Sequence, residues 1–180
     1  EKLRIHHVFE RPISDHTLAE MIAIRSRLGE AADGDDLKRL PGGIRDIEFP
    51  VQILQIVHGR FHPALMNQTT LWNVSWLGSH GLLAEAKQVE ADLIFLRRLE
   101  HRLQMGGDRQ THAFPTDPAE RDRLAVLMGE ADGAALAARL AEVRERTRTR
   151  ADAILADPRR AVPDLPADVA DVIRGWTRDR

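Results

Sequence analysis

At 180 residues, 43% hydrophobic and 30% charged, the chain is long enough for one domain with a real core and too apolar for disorder. It has no cysteine, which excludes disulfides and thiolate metal sites, and its longest apolar runs fall far short of a bilayer span. A net charge of −2 leaves no global field to draw nucleic acid or an acidic membrane.

The chain opens Glu1-Lys2-Leu3-Arg4-Ile5-His6-His7, without a signal-peptide pattern and without an initiator Met, as expected of a piece cut from a longer protein. Apart from a weak strand-like alternation over Leu3 to Phe9, every segment reads helical. Ser14 is the expected N-cap of a first helix carrying Leu18, Met21, Ile22 and Ile24, with Gly29 as its stop. Ala31 to Asp36 is a small, acidic break. From Gly43 onward Ile44, Ile47, Val51, Leu54 and Val57 recur at three and four, one helical face, up to Gly59. Pro50 removes a bond to the Asp46 carbonyl, which costs roughly 3 kcal/mol inside a helix. A kink is expected there, or a looser first turn with the regular helix starting at about Glu48.

Thr69 to Ser79 is a short helix with Trp72 and Trp76 one turn apart, rings suited to core packing or to stacking on bases. The strongest helix, about Ala84 to Met105, lines one face with Val89, Leu93, Leu96, Leu99 and Leu103 and stops at Gly106-Gly107. Its other face carries Arg97, Arg98, Glu100, His101 and Arg102, either a solvated face or a site. Asp117, Pro118 and Glu120 read as N-cap, N1 and N3 of a helix that closes at Gly129. A long helix follows from Gly133 to Ala156, where Glu142 and Arg146 are spaced to pair. Asp157-Pro158 breaks it, and a Pro-rich linker to Pro166 leads to a short helix ending near Trp176. The expected fold is all-α, an array of about six helices. Residues 1–35 form a lead-in with room for the remnant of a preceding domain, 36–156 a helical domain, and 157–180 a linker and short helix.

The densest chemistry lies between Asp36 and Phe49. Gly42-Gly43 precedes a helix whose first turn holds Arg45 and Asp46, and Lys38 is one of only three lysines among 26 basic residues. Glycines before a helix let backbone N–H groups approach an anion, and Lys38 and Arg45 would add charge-assisted bonds. The same glycines serve a plain chain reversal. Asp46 and Glu48, two apart, point to opposite helix faces and do not share a metal. The eight histidines give no zinc spacing, since His58 and His62 straddle Gly59. No nucleophile elbow, no phosphate-binding loop of the GxxxxGK[ST] type and no carboxylate cluster for two-metal transfer is visible. On residues alone this is a helical module without its own catalytic centre.

Asp36-Leu37-Lys38, then Gly42-Gly43-Ile44-Arg45-Asp46-Ile47-Glu48-Phe49 and Val51-Gln52, resembles the motif opening the helical domain of the glutamine synthetase adenylyltransferase family. Two later blocks match in order and spacing: Phe95-Leu96-Arg97-Arg98-Leu99-Glu100-His101-Arg102-Leu103-Gln104, then Asp108 to His112 with Pro115-Thr116-Asp117 and Leu124 to Gly129. The related PII uridylyltransferases share a similar first string and match the later blocks less well. The resemblance implies a bifunctional cytoplasmic enzyme that attaches AMP to a tyrosine of glutamine synthetase and removes it, using Mg and ATP or ADP. Its partners would be glutamine synthetase, a PII-type signalling protein and a preceding nucleotidyltransferase palm. Arg45 and the Arg97-Arg98-Leu99-Glu100 string resemble the N-terminal, adenylyl-removing half.

The family's Gly-Ser followed by Asp-x-Asp belongs upstream and is missing here, and Leu40-Pro41 replaces a small Gly-containing link. The isolated chain is therefore expected to be inactive, with no metal of its own. Lys38, Gly42, Gly43 and Arg45 are the expected phosphate contacts, with Asp46 orienting Arg45 or acting on a metal-bound water. Arg98, Glu100 and His101 form a second candidate patch. The rival class is a non-enzymatic helical module that binds a protein partner.

Overall fold

The computed structural model describes residues 8–9, 12–30, 40–105 and 113–160. These form six α-helices: α1 (Asp15–Glu30), α2 (Arg45–His58), α3 (Thr70–Ser79), α4 (Ala86–Met105), α5 (Pro118–Met128) and α6 (Gly133–Ala156), with a 3-10 turn over Pro63–Met66. The all-α expectation holds. No helix among the described residues is long and apolar enough to cross a membrane. The weak alternation at Leu3 to Phe9, the break at Ala31 to Asp36, Gly106-Gly107 and the helix near Trp176 lie outside the described residues, except for Val8 and Phe9.

Capping chemistry sets the ends of the later helices. Asp117 accepts the Glu120 N–H at 3.0 Å, with Pro118 next to it, and Asp132 accepts the Ala135 N–H at 2.7 Å. Gly129 closes α5 at φ 79°, the left-handed cap that glycine reaches without strain. Ser14 accepts the Thr17 N–H at 3.1 Å, but Gly29 does not stop α1, which runs on to Glu30. A glycine weakens a helix by about 1 kcal/mol and ends it only where the next residues leave helical geometry.

Helix α2 starts at Arg45, a turn earlier than Glu48, and Pro50 is buried inside it. The entry is tight: Asp46 N–H donates to Gly43 and Ile47 N–H to Ile44, both three residues back at 3.0 Å. Gly59 sits at the end of α2 with φ −61°, so it is no left-handed cap. Its small size is what matters, because a Cβ there would meet Phe9 Cδ1 at 2.5 Å.

The main core joins α2 to α6. Ile44, Ile47, Val51 and Leu54 from α2 and its entry meet Leu93, Leu96 and Leu99 from α4, while Leu136, Leu140 and Val143 close it from α6. Each such burial is worth about 1.5–3 kcal/mol. Leu18 of α1 packs with Ile53, Val57 and Leu155 in a second, smaller cluster. Trp76 packs at the core's edge and stacks on His80 at 3.6 Å, whereas Trp72 stays 39% exposed.

Candidate functional site

The glycine turn enters α2 against the body of α6. Gly42 and Gly43 are both buried, and a Cβ on Gly42 would collide with the Arg144 carbonyl. The Arg144 guanidinium donates to the Pro41 carbonyl at 3.1 Å, fastening the turn from the other side. Both amides expected to meet phosphate are already engaged: Gly42 N–H donates to Asp46 Oδ2 at 2.7 Å and Gly43 N–H to the Leu40 carbonyl at 2.9 Å. The double glycine answers a packing demand, and neither of its own amides is free.

Asp46 is equally committed. Its Oδ1 accepts from Arg25 of α1 at 2.9 Å, and Arg25 also reaches Asp152 of α6 at 2.7 Å. Burial pulls the Arg25 pKa down, but its bonds to Asp46 and Asp152 outweigh that and raise it. Asp46 therefore does not orient Arg45; it locks α1, the glycine turn and α6 together. Arg45 is half-buried and has no ion pair or side-chain hydrogen bond among the described residues. Lys38 lies outside the described residues.

On the opposite side of α2, Glu48 binds Arg97 of α4, as the spacing of Asp46 and Glu48 requires. Arg97 also donates to Glu100 at 3.0 Å. Burial lowers the Arg97 pKa, and the charges and bonds of Glu48 and Glu100 more than reverse it. Glu100 is only 6% exposed, so it does not stand on a solvated face. It lies four residues from Leu96 and three from Leu103, inside the apolar stripe. Asp92 is a further buried carboxylate that charge patterning passed over. It takes Arg146 at 2.7 Å, Gln88 at 3.0 Å and Arg150 at 3.5 Å. Arg146 thus pairs across helices and not with Glu142.

The Glu48–Arg97 ion pair links the two patches that the sequence separates. Arg45 and Glu48 are neighbours at i,i+3 on α2, Glu48 is clamped to Arg97, and Arg98 and His101 follow on α4. Arg98 and His101 are exposed. Between α3 and α4 lies a groove of about 450 Å³, floored by Leu71, Leu93 and Ile94. Glu48, Arg97, Arg98 and His101 form its charged side.

No group of three or more His, Asp or Glu side chains converges among the described residues. With Asp46 and Glu48 held by arginines, the described residues do not fit a magnesium site.

The family model described as GlnD PII-uridylyltransferase matches residues 16–156. The chain belongs to this domain family. The match spans the glycine turn and both later blocks. The individual relatives point more narrowly. The bifunctional glutamine synthetase adenylyltransferase/adenylyl-removing enzyme of Stenotrophomonas maltophilia is 41% identical over 150 residues, 81% of this chain and 16% of that enzyme. The enzyme of the same name from Burkholderia mallei is 44% identical over 127 residues, 68% of this chain and 14% of its own length. That of Bordetella pertussis is 38% identical over 142 residues, 72% and 15%. The chain thus spans about one-sixth of these relatives.

Proposed function

We propose that this family member is the helical domain of a bifunctional nucleotidyltransferase that adenylylates and deadenylylates glutamine synthetase. It would follow the catalytic palm, with Arg45 and Lys38 turned toward nucleotide phosphate. The observation that carries this reading is the joined α2–α4 face. Arg45 has no ion pair or side-chain hydrogen bond there among the described residues, while Glu48, Arg97 and Glu100 are locked together beside it.

Placement of an uncommitted arginine beside a locked ion-pair cluster suits a wall that grips an anion made reactive elsewhere. Mg and ATP or ADP would be held by the palm, in a cytoplasmic enzyme answering to a PII-type protein. The chain would belong to the N-terminal, adenylyl-removing half and be inactive alone. Residues 36–156 would be the helical domain proper, between a lead-in at 1–35 and a linker at 157–180.

Arg45→Ala and Lys38→Ala in the full-length enzyme test the role. Each should raise KM for the nucleotide or lower kcat by about 10-fold or more, as loss of a charge-assisted contact does. Unchanged activities and nucleotide affinity would refute it. The family model's own description favours a second reading, uridylyl transfer to PII. Offering the full-length enzyme labelled ATP or UTP with glutamine synthetase or PII as acceptor separates the two.

A further inference from the structure

The second block, Phe95 to Gln104, is mostly consumed by the fold. Leu96, Leu99 and Leu103 are core, and buried Phe95 lies under the Arg139 guanidinium at 4.6 Å. Arg97 and Glu100 are locked with Glu48. Arg98 and His101 are not used: neither has an ion pair or side-chain hydrogen bond among the described residues. Both line the α3–α4 groove.

The groove's floor is aliphatic and open to solvent, with Leu71 39% and Ile94 45% exposed. At the same edge Thr69 and Thr70 begin α3, and Thr69 makes no side-chain cap, so the first-turn amides add partial positive charge. The one acidic group of the lining, Glu48, is neutralised by Arg97. Free charge here is positive and confined to one rim, beside an apolar trough. A bare phosphate would leave the floor unused, and an uncharged apolar segment would leave the rim unused.

We propose that this groove docks a protein segment that sets one or two large apolar side chains beside a carboxylate. Resting on the reading of the parent as an enzyme acting on glutamine synthetase, that segment belongs to the protein substrate. Apolar burial supplies the affinity, and Arg98 with His101 sets the register and speeds the encounter.

The test uses the full-length enzyme with glutamine synthetase as substrate and the variants Ile94→Asp and Arg98→Glu. Both positions are exposed, so each variant should melt within a few degrees of the parent, as circular dichroism would check. KM for glutamine synthetase should rise at least about 10-fold with KM for the nucleotide within about twofold, and Arg98→Lys should recover most of the loss. An unchanged KM for glutamine synthetase overturns the proposal. So does a rise in KM for the nucleotide, which would make the groove a nucleotide subsite. A wild-type enzyme that neither adds AMP to glutamine synthetase nor removes it would fail before any variant is made. That outcome sinks the reading of the parent together with this inference.

Discussion

At Gly42 a φ of 79° coincides with the approach of the Arg144 backbone, and either one excludes a side chain. Gly42→Ala should destabilise the chain by about 2–4 kcal/mol in a urea melt, because strain and collision act together. His58 poses a different problem: it is fully buried and neither ring nitrogen makes a hydrogen bond of good geometry. Burial pushes its pKa down, the neighbouring His62 adds to this, and the Pro158 carbonyl opposes it. Between the lowered folded value and about 6.5 the unfolded chain binds a proton that the native state refuses. Stability is therefore complete above about pH 6.5 and falls on acidification, by at most about 1.4 kcal/mol per pH unit from this group. Thermal melts from pH 7.5 to 5.5 should show the fall, and His58→Leu should flatten it without loss of stability at pH 7.5. His62, lowered by burial and by His80, leaves a residual slope of the same sign.

Between elements, buried carboxylates act as the joints. Asp46 ties α1 and the glycine turn to α6 through Arg25, and Asp92 ties α4 to α6 through Arg146 and Arg150. Asp92→Ala should cost about 2–4 kcal/mol, since it strands two arginines and Gln88 against a carboxylate-sized hole. A double-mutant cycle with Arg146→Met should return a coupling energy of at least about 1 kcal/mol. Coupling near zero would mean that the pair is incidental. These joints were illegible in the sequence for a definite reason. Helical periodicity reports which positions face inward, but a charge at such a position reads as a break in the stripe until its partner is known. Asp92 and Glu100 sit in the stripe with Val89, Leu93, Leu96, Leu99 and Leu103, and their arginines come from other positions up to 54 residues away.

At the scale of the molecule, the described residues form a helical wall with an apolar-floored groove whose rim carries Arg98 and His101. Its two regions make separable predictions. Loss of Arg45 or Lys38 should act on the nucleotide, and loss of Arg98 or Ile94 should act on the protein substrate. Steady-state kinetics of the full-length enzyme with each substrate varied in turn reads both. What the sequence determined by itself was local. The all-α class, the spans of α3 to α6, the caps at Asp117 and Gly129 and the apolar stripe of α4 follow from short-range periodicity and capping chemistry. The three ordered blocks likewise marked the family. Tertiary structure alone decided what the charged residues do. It took the Gly42 and Gly43 amides away from phosphate, gave Asp46 to Arg25, and sank Glu100 into the core. It also linked α2 to α4 through the ion pair of Glu48 and Arg97. A charge's role is set by what lies within a few ångströms of it in space, and that distance is not written along the chain.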